Sequence, residues 1–93
     1  MEQAGVYILQ STKNNRYYIG STDNIKRRLK EHNAGKVPST GNLRPLFIKA
    51  FIKCESLTGA RTSEYRLKQY KRRDVIEKVI NDSIFPWDHN LPS

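Results

Sequence analysis

Residues 16–32, RYYIGSTDNIKRRLKEH, decide the expected fold, because a strand pattern changes into a helix pattern within them. The tyrosines and the isoleucine of RYYIG favour a strand. The polar residues that follow supply helix-capping chemistry, from Thr22 or Asp23, for a helix that runs to about Asn33. Gly35 then stands where the end of a helix is expected. The segment therefore predicts a strand followed directly by a helix.

The residues before this segment predict a second strand. Residues 5–10, GVYILQ, are β-branched and aromatic, and the turn chemistry of residues 11–15 joins them to the strand at residues 16–20. The short connection predicts an antiparallel hairpin. With the loop at residues 11–14, Tyr7 lies opposite Tyr18.

The rest of the chain completes a small α/β domain. Residues 36–45 show no periodicity and are predicted to be a loop, and residues 46–53, LFIKAFIK, have the strongest strand pattern. Ser56 is expected to cap a helix from Leu57 to about Tyr70. The apolar face of a last helix, from about Asp74 to Asn81, consists of Val75, Ile76, Val79 and Ile80. The expected order is β-β-α-β-α-α, an α/β sandwich with a three-stranded antiparallel or mixed sheet flanked by helices.

The length of 93 residues fits one domain. Residues 1–84 are assigned to that domain, and residues 85–93, FPWDHNLPS, to an irregular C-terminal tail because of their two prolines. Phe85 and Trp87 are the residues able to hold the tail against the body.

The charge and composition of the chain indicate which classes of binding partner it favours. A net charge of +8 and a pI near 9.9 favour polyanions, either nucleic acid or an anionic membrane surface. No apolar run is long enough to span a membrane, and the first residues lack a signal-peptide pattern. The single cysteine, Cys54, excludes an internal disulfide and a cysteine-rich zinc site. We therefore expect a cytoplasmic protein with no membrane partner.

Two polar residues share the apolar face of the first helix. Ile25 and Leu29 define its inward stripe, and Arg28 and His32 fall on the same side, whereas Arg27 points away. Arg28 either lays its stem along the core and its head in water, or serves a polar site. His32 is either a boundary histidine or a site residue.

The next helix has a carboxylate within its apolar stripe. Leu57, Ala60, Glu64 and Leu67 fall on one face. A pair with Lys68 contributes only about 0.2–0.5 kcal/mol on an exposed helix, which does not offset full burial. Glu64 therefore needs a stronger partner, such as an arginine or a divalent cation, or a place at the edge of the core.

These residues together resemble the GIY-YIG nuclease superfamily. The two halves of its motif correspond to Gly5-Val6-Tyr7 and, eleven positions later, Tyr18-Ile19-Gly20. Arg28 and His32 match the arginine and frequent histidine of the family, and Glu64 matches its metal-binding glutamate. The resemblance covers about residues 5–80, and YIGSTDNIKRRLKEHNAGK is especially similar to small standalone members.

The resemblance implies a metal-dependent DNA endonuclease, with a role in DNA repair or processing. Glu64 would hold one Mg²⁺ or Mn²⁺ ion, and Arg28 would stabilise charge on the transition state. Tyr7 would be the leading general base, supported by Tyr18, and His32 would orient a tyrosine or water or relay a proton. The motif glycines are Gly5 and Gly20, of which Gly20 would let the strand end close to the substrate or the following helix. Many family members have a functional asparagine downstream of the glutamate; Asn81 is the candidate here, but its spacing from Glu64 along the chain is longer than expected, so it is not assigned a catalytic role.

Basic residues around this site are the candidate contacts for nucleic acid, with DNA favoured over RNA. They are Lys13, Arg16, Arg27, Lys30, Lys36, Arg44, Lys68, Lys71, Arg72 and Arg73. The run KQYKRR at residues 68–73 is either such a contact or a solvated helix end. Phosphate contacts do not read sequence, so weak sequence preference is expected. The alternative function is a nucleic-acid-binding module with little or no catalysis, targeted by a protein partner.

Overall fold

The structure is a computed structural model that describes residues 2–88; residues 89–93 of the expected tail lie outside the described residues. Strands β1, β2 and β3 comprise Gly5–Ser11, Tyr17–Thr22 and Leu46–Lys53. Helices α1, α2 and α3 comprise Ile25–Asn33, Leu57–Lys68 and Arg73–Asp82. The predicted order β-β-α-β-α-α is confirmed, with two short 3₁₀ helices added at Pro38–Leu43 and Pro86–Asp88. No helix within residues 2–88 combines the length and apolar content needed to cross a bilayer.

The sheet is antiparallel, with β1 between β2 and β3. Alternate residues of β1 point to opposite faces, so each face carries its own apolar cluster. Val6 and Ile8 pack with residues of α2 and α3, whereas Tyr7 and Leu9 pack with residues of α1. The sheet is therefore covered on both faces, which confirms the α/β sandwich.

The expected pairing of the two motif tyrosines is wrong by two positions. Tyr7 lies opposite Gly20, and Tyr18 lies opposite Leu9. A shift of two positions keeps both tyrosines on the same face, because side chains alternate with a period of two. Their ring centroids are 6.4 Å apart.

The cause of the shift is the position of the hairpin turn. The backbone N–H of Ser11 donates to the carbonyl of Arg16 at 2.9 Å, so the loop comprises residues 12–15 instead of 11–14. Asn15 adopts φ 62°, in the left-handed region that asparagine tolerates. When the loop moves by one residue along the chain, the residue of β2 that lies opposite each residue of β1 changes by two positions.

Helix α1 starts one residue later than the sequence indicated. Asn24, and not Thr22 or Asp23, is the N-cap, because its side chain accepts the backbone N–H of Arg27 at 3.1 Å. The Thr22 hydroxyl instead accepts the N–H of Asn24 at 3.0 Å and fixes the preceding turn. Gly35 ends the helix as expected, with φ 79° just after the C-cap.

The segment expected to be an irregular loop contains the 3₁₀ helix Pro38–Leu43. Pro38 occupies its first turn, where a fixed φ and a missing N–H are tolerated. A helix of six residues is too short to produce a visible period, which is why the sequence did not predict it. Its one buried residue, Thr40, points towards α1 and makes contact with His32.

Beyond α3, residues 85–88 pack on the domain. Phe85 is buried in the cluster between the sheet, α2 and α3, and the Trp87 ring stacks on it at 4.7 Å between centroids. The Arg66 guanidinium of α2 lies 4.3 Å from the Trp87 ring centroid. These contacts bring the chain after α3 back against α2.

Candidate active site

Tyr7 lies in the central strand of the sheet and is almost fully buried. Its side chain is 1% exposed, and its hydroxyl oxygen is 2.8 Å from Nε2 of His32. A Cβ added to the facing Gly20 would overlap the hydroxyl and ring of Tyr7. Gly20 therefore makes room for Tyr7 itself, rather than for the helix that follows. Gly5, the other motif glycine, lies against the ring of Phe51 and the carbonyl of Ile52, where a Cβ would also clash.

His32 lies one turn after Arg28 on α1 and is fully buried. Its Nδ1 lies 2.7 Å from the hydroxyl of Thr40. The rings of Tyr7 and Tyr18 meet the imidazole edge-on, at 5.6 and 5.1 Å between centroids. The sequence analysis included three of these residues in the site but missed Thr40.

Tyr18 is less constrained than Tyr7. It is half-buried, and its hydroxyl accepts only a long hydrogen bond of 3.4 Å from the exposed Ser39. The ammonium of Lys68 lies 5.8 Å from the centroid of its ring. Tyr18 thus joins the His32 side of the site to the α2 side.

Arg28 lies at the edge of the core, with its side chain 35% exposed. The guanidinium pairs with Glu31 at 3.2 Å and interacts with the hydroxyl of Tyr7, and that Tyr7 contact is the main reason for its raised pKa. Arg27, by contrast, is an exposed partner of Asp23 at 3.2 Å. The structure therefore separates the two neighbouring arginines as the helical period predicted.

The buried tyrosine and histidine both favour their neutral forms. Burial raises the pKa of Tyr7, and the adjacent Arg28 guanidinium only partly offsets this, while the charge of Glu64 raises it further. Burial lowers the pKa of His32, and Arg28 lowers it again. At rest, the pair is thus a phenol beside a neutral imidazole.

Glu64 projects from α2 at the edge of the sheet and is 20% exposed. The Ser21 hydroxyl donates to its Oε1 at 2.5 Å, and Lys68 Nζ lies 2.6 Å from its Oε2. Its protein partners are thus a serine and the i+4 lysine, and its place at the edge of the core is one of the alternatives that the sequence left open. Ser21 was not predicted as a partner of Glu64, because no local pattern connects residues 43 positions apart.

The donor set at Glu64 fits a magnesium ion that keeps most of its waters. Among the described residues, no group of three or more His, Cys, Asp or Glu side chains could hold a metal. Mg²⁺ commonly binds through one or two carboxylates plus water and substrate phosphate. Each Glu64 oxygen has one protein partner, so lone pairs remain for such an ion. An ion bound at Oε2 would have to share this oxygen with Lys68 Nζ, which lies 2.6 Å from it.

A basic cavity of about 340 Å³ lies between β2, α2 and α3, and Lys68, the ion-pair partner of Glu64, is one of its lining residues. Its lining comprises Tyr17, Tyr18, Ile19, Leu67, Lys68, Lys71, Arg72, Arg73 and Ile76. Arg72 pairs with Asp74 and Arg73 pairs with Glu77, whereas Lys71 makes no ion pair with the part of the chain described. The basic residues of the run KQYKRR thus line the cavity together with the apolar side chains of Ile19, Leu67 and Ile76.

The other predicted basic contacts are divided between two regions. Lys13 and Arg16 lie in the exposed hairpin turn, which adjoins the basic cavity because Arg73 donates to the Asn15 carbonyl at 3.0 Å. The remaining residues lie on α1 or in the segment after it and do not line the basic cavity; they are Arg27, Lys30, Lys36 and Arg44.

The match with known proteins agrees with this arrangement. Residues 3–78 match the model of the GIY-YIG catalytic domain, so the chain belongs to the GIY-YIG nuclease family. It is similar to a UPF0213 protein of Syntrophus aciditrophicus (strain SB), with 32% identity over 81 residues that cover 85% of this chain and 92% of the relative. A UPF0213 protein of Oceanobacillus iheyensis is 33% identical over 82 residues, covering 84% and 91% of the two chains. One of Halobacterium salinarum is 34% identical over 68 residues, covering 72% and 87%. No solved structure matches this chain.

Proposed function

We propose that this protein is a metal-dependent endonuclease that hydrolyses phosphodiester bonds of DNA with weak sequence preference. The observation that carries the proposal is the buried Tyr7–His32 hydrogen bond, with the Arg28 guanidinium near enough to lower the pKa of the same phenol. A phenol bonded to an imidazole supplies a route for a proton, and a nearby guanidinium supplies a cation for developing negative charge.

Each of the five residues has a role that its surroundings support. Tyr7 orients the attacking water and accepts its proton, and His32 accepts the proton that Tyr7 gives up. Arg28 is partly exposed, so its guanidinium can reach a phosphate while it contacts Tyr7. Tyr18 closes one side of the site and supports the orientation of His32.

Glu64 is the residue that would hold one Mg²⁺ or Mn²⁺ ion, with Ser21 fixing the carboxylate through a short hydrogen bond. When bound, the ion supplies positive charge for the phosphate and the leaving oxygen. The charge of Glu64 raises the pKa of Tyr7, although less than burial does.

DNA binding is assigned to the basic cavity and the adjoining hairpin turn. Lys71 and the arginines at positions 72 and 73 line this cavity together with Lys68, which pairs with Glu64 at 2.6 Å. Contacts between these cations and phosphates would position the backbone without reading its sequence.

The first experiment compares wild type with Glu64→Gln on labelled single-stranded, duplex and flap DNA, with Mg²⁺, Mn²⁺ or EDTA. Glu55→Gln is the matched control, because Glu55 is exposed and makes no ion pair with the described residues. We expect metal-dependent cleavage by wild type and the control and none by Glu64→Gln. Equal cleavage by all three proteins would contradict the role of Glu64.

The second candidate is a nucleic-acid-binding module, for DNA or RNA, with little catalysis. The ion pair of Lys68 with the Glu64 carboxylate favours it, because a cation already occupies the oxygen that a metal would use. No cleavage by any of the three proteins, together with equal salt-sensitive binding, would support this candidate over the nuclease.

A further inference from the structure

The hydrogen-bond inventory around Tyr7 fixes the position of one proton. The phenol is 1% exposed, and its described hydrogen-bond partner is His32 Nε2. The nearby Arg28 carries only donors and cannot accept the phenolic hydrogen. Leaving a buried hydroxyl without an acceptor is costly, so the Tyr7 hydrogen must point to Nε2.

This requirement determines the tautomer of His32. If Nε2 accepts from Tyr7, the neutral imidazole carries its hydrogen on Nδ1. The acceptor for that hydrogen is the hydroxyl oxygen of Thr40 at 2.7 Å. The hydrogen of the Thr40 hydroxyl in turn has an acceptor in the carbonyl of Val37, at 3.3 Å. The three hydrogen bonds then form one chain in which Tyr7 donates to His32, His32 donates to Thr40, and Thr40 donates to the carbonyl of Val37.

We propose that Thr40 is a positioning residue that holds His32 in the Nδ1–H tautomer, so that Nε2 faces Tyr7 as a proton acceptor. Thr40 is fully buried and is itself fixed by the 3₁₀ helix Pro38–Leu43, in which its backbone N–H donates to Val37 at 3.1 Å. The 3₁₀ helix after α1 therefore positions the Thr40 hydroxyl against Nδ1 of His32.

The catalytic consequence rests on the proposed nuclease function. A water held by Tyr7 gives its proton to the phenol oxygen while the phenol proton passes to Nε2, which leaves His32 as an imidazolium. The electron pair of the resulting hydroxide forms the new P–O bond. The bond to the leaving oxygen breaks with its electron pair, and that oxygen takes a proton from solvent. His32 later returns its proton through Tyr7 to solvent.

The tautomer can be measured without any cleavage assay. The chain contains two histidines, His32 and His89, so the ¹⁵N signals of histidine-labelled full chain are assigned with a His89→Gln variant. At a pH above the pKa of His32, we expect a protonated Nδ1 and an unprotonated Nε2 in wild type. An Nε2–H tautomer in wild type would overturn the proposal, whether or not any variant folds.

Two substitutions at Thr40 distinguish the effect of its hydroxyl from the effect of its side-chain shape. Thr40→Val removes the acceptor of the Nδ1 hydrogen, whereas Thr40→Ser keeps it. We expect the valine variant to shift the population towards Nε2–H and to lower kcat by about 10-fold with little change in KM, a smaller loss than the about 10²–10⁴-fold expected when a general base is removed. The serine variant should restore both. An unchanged tautomer in folded Thr40→Val would overturn the positioning role.

The NMR and activity results distinguish failure of the two proposals. A wild-type Nδ1–H tautomer that is lost in Thr40→Val, without cleavage of any DNA by wild type, supports the role of Thr40 and contradicts the nuclease function. Cleavage by wild type and by folded Thr40→Val at equal rates contradicts the role of Thr40 and leaves the nuclease function supported.

Discussion

The hydroxyl of Tyr7 and Nε2 of His32 lie 2.8 Å apart, and neither residue is more than 1% exposed. They come from the central strand and from α1, 25 positions apart in sequence. The phenol of Tyr7 thus has a neutral acceptor in His32, while the permanent charge of Arg28 lowers the pKa of the same phenol.

Tyr7→Phe keeps the ring that fills the space left by Gly20 and removes only the hydroxyl. We expect the fold to be retained and single-turnover DNA cleavage to fall by about 10²–10⁴-fold, the usual loss for a general base. Tyr18→Phe should lose much less activity, since Tyr18 is only partly buried and its hydroxyl makes one long hydrogen bond with the described residues. A larger loss of cleavage activity in Tyr18→Phe than in Tyr7→Phe would indicate that Tyr18, and not Tyr7, is the general base.

His32 makes the stability of the protein sensitive to mild acid. Burial, followed by the charge of Arg28, lowers its pKa below 6.5, while Glu31 acts in the opposite direction. The unfolded chain therefore binds a proton at a higher pH than the folded chain. The contribution of neutral His32 is complete above pH 6.5 and is lost as pH falls towards the folded-state pKa.

Urea unfolding between pH 5 and 7.5 checks this sign. We expect the free energy of unfolding to fall by up to about 1.4 kcal/mol per pH unit below pH 6.5. In His32→Gln, this part of the slope should disappear, although the variant is less stable throughout. The same slope in wild type and His32→Gln would exclude His32 as its source.

Gly20→Ala tests the close approach between β2 and Tyr7. The new Cβ would overlap a buried ring that cannot swing away, so we expect a loss of about 1–3 kcal/mol in the free energy of unfolding. Gly41→Ala is the matched control, because a Cβ there meets no atom within 4 Å. Similar stability of the two variants in denaturant would show that Tyr7 has room to move.

The helical period explains how much of this site the sequence could predict. Arg28 and His32 were placed correctly on the inner face of α1 because Ile25 and Leu29 fix that face. The partners of His32 and Glu64 were not predictable in this way. Thr40 and Ser21 are small polar residues whose roles depend on tertiary contacts that no periodicity encodes.

In the sheet, too, the strands could be predicted from the sequence, whereas their register could not. The composition of residues 5–10 and 46–53 predicted strands, and burial on both faces of β1 agrees with its central place. The register, however, depends on which residue starts the hairpin turn, and several residues between 11 and 15 suit a turn equally well. Composition could therefore predict the hairpin but not the partner of Tyr7.

Lys68 should oppose metal binding while it supports DNA binding. Its ammonium lies 2.6 Å from Glu64 Oε2 and also lines the basic cavity. In Lys68→Met, we expect tighter binding of Mn²⁺ to the free protein, measured by electron paramagnetic resonance, and weaker binding of DNA. Lys53→Met, an exposed change on β3, is the control for the lost charge. Weaker Mn²⁺ binding in Lys68→Met than in the control would contradict the competition.

The basic cavity predicts a specific change in salt dependence. Lys71 lines it and has no ion pair with the described residues, so its charge is available to a phosphate. Lys71→Ala should lower the slope of log K against log salt by about 1, and by the same amount for unrelated DNA sequences, because one phosphate contact is lost. Lys53→Ala removes an equal charge from β3 and should leave the slope unchanged. If fluorescence anisotropy gives both variants the wild-type slope, the DNA backbone does not pass over the basic cavity, and the contacts on α1 become the alternative path.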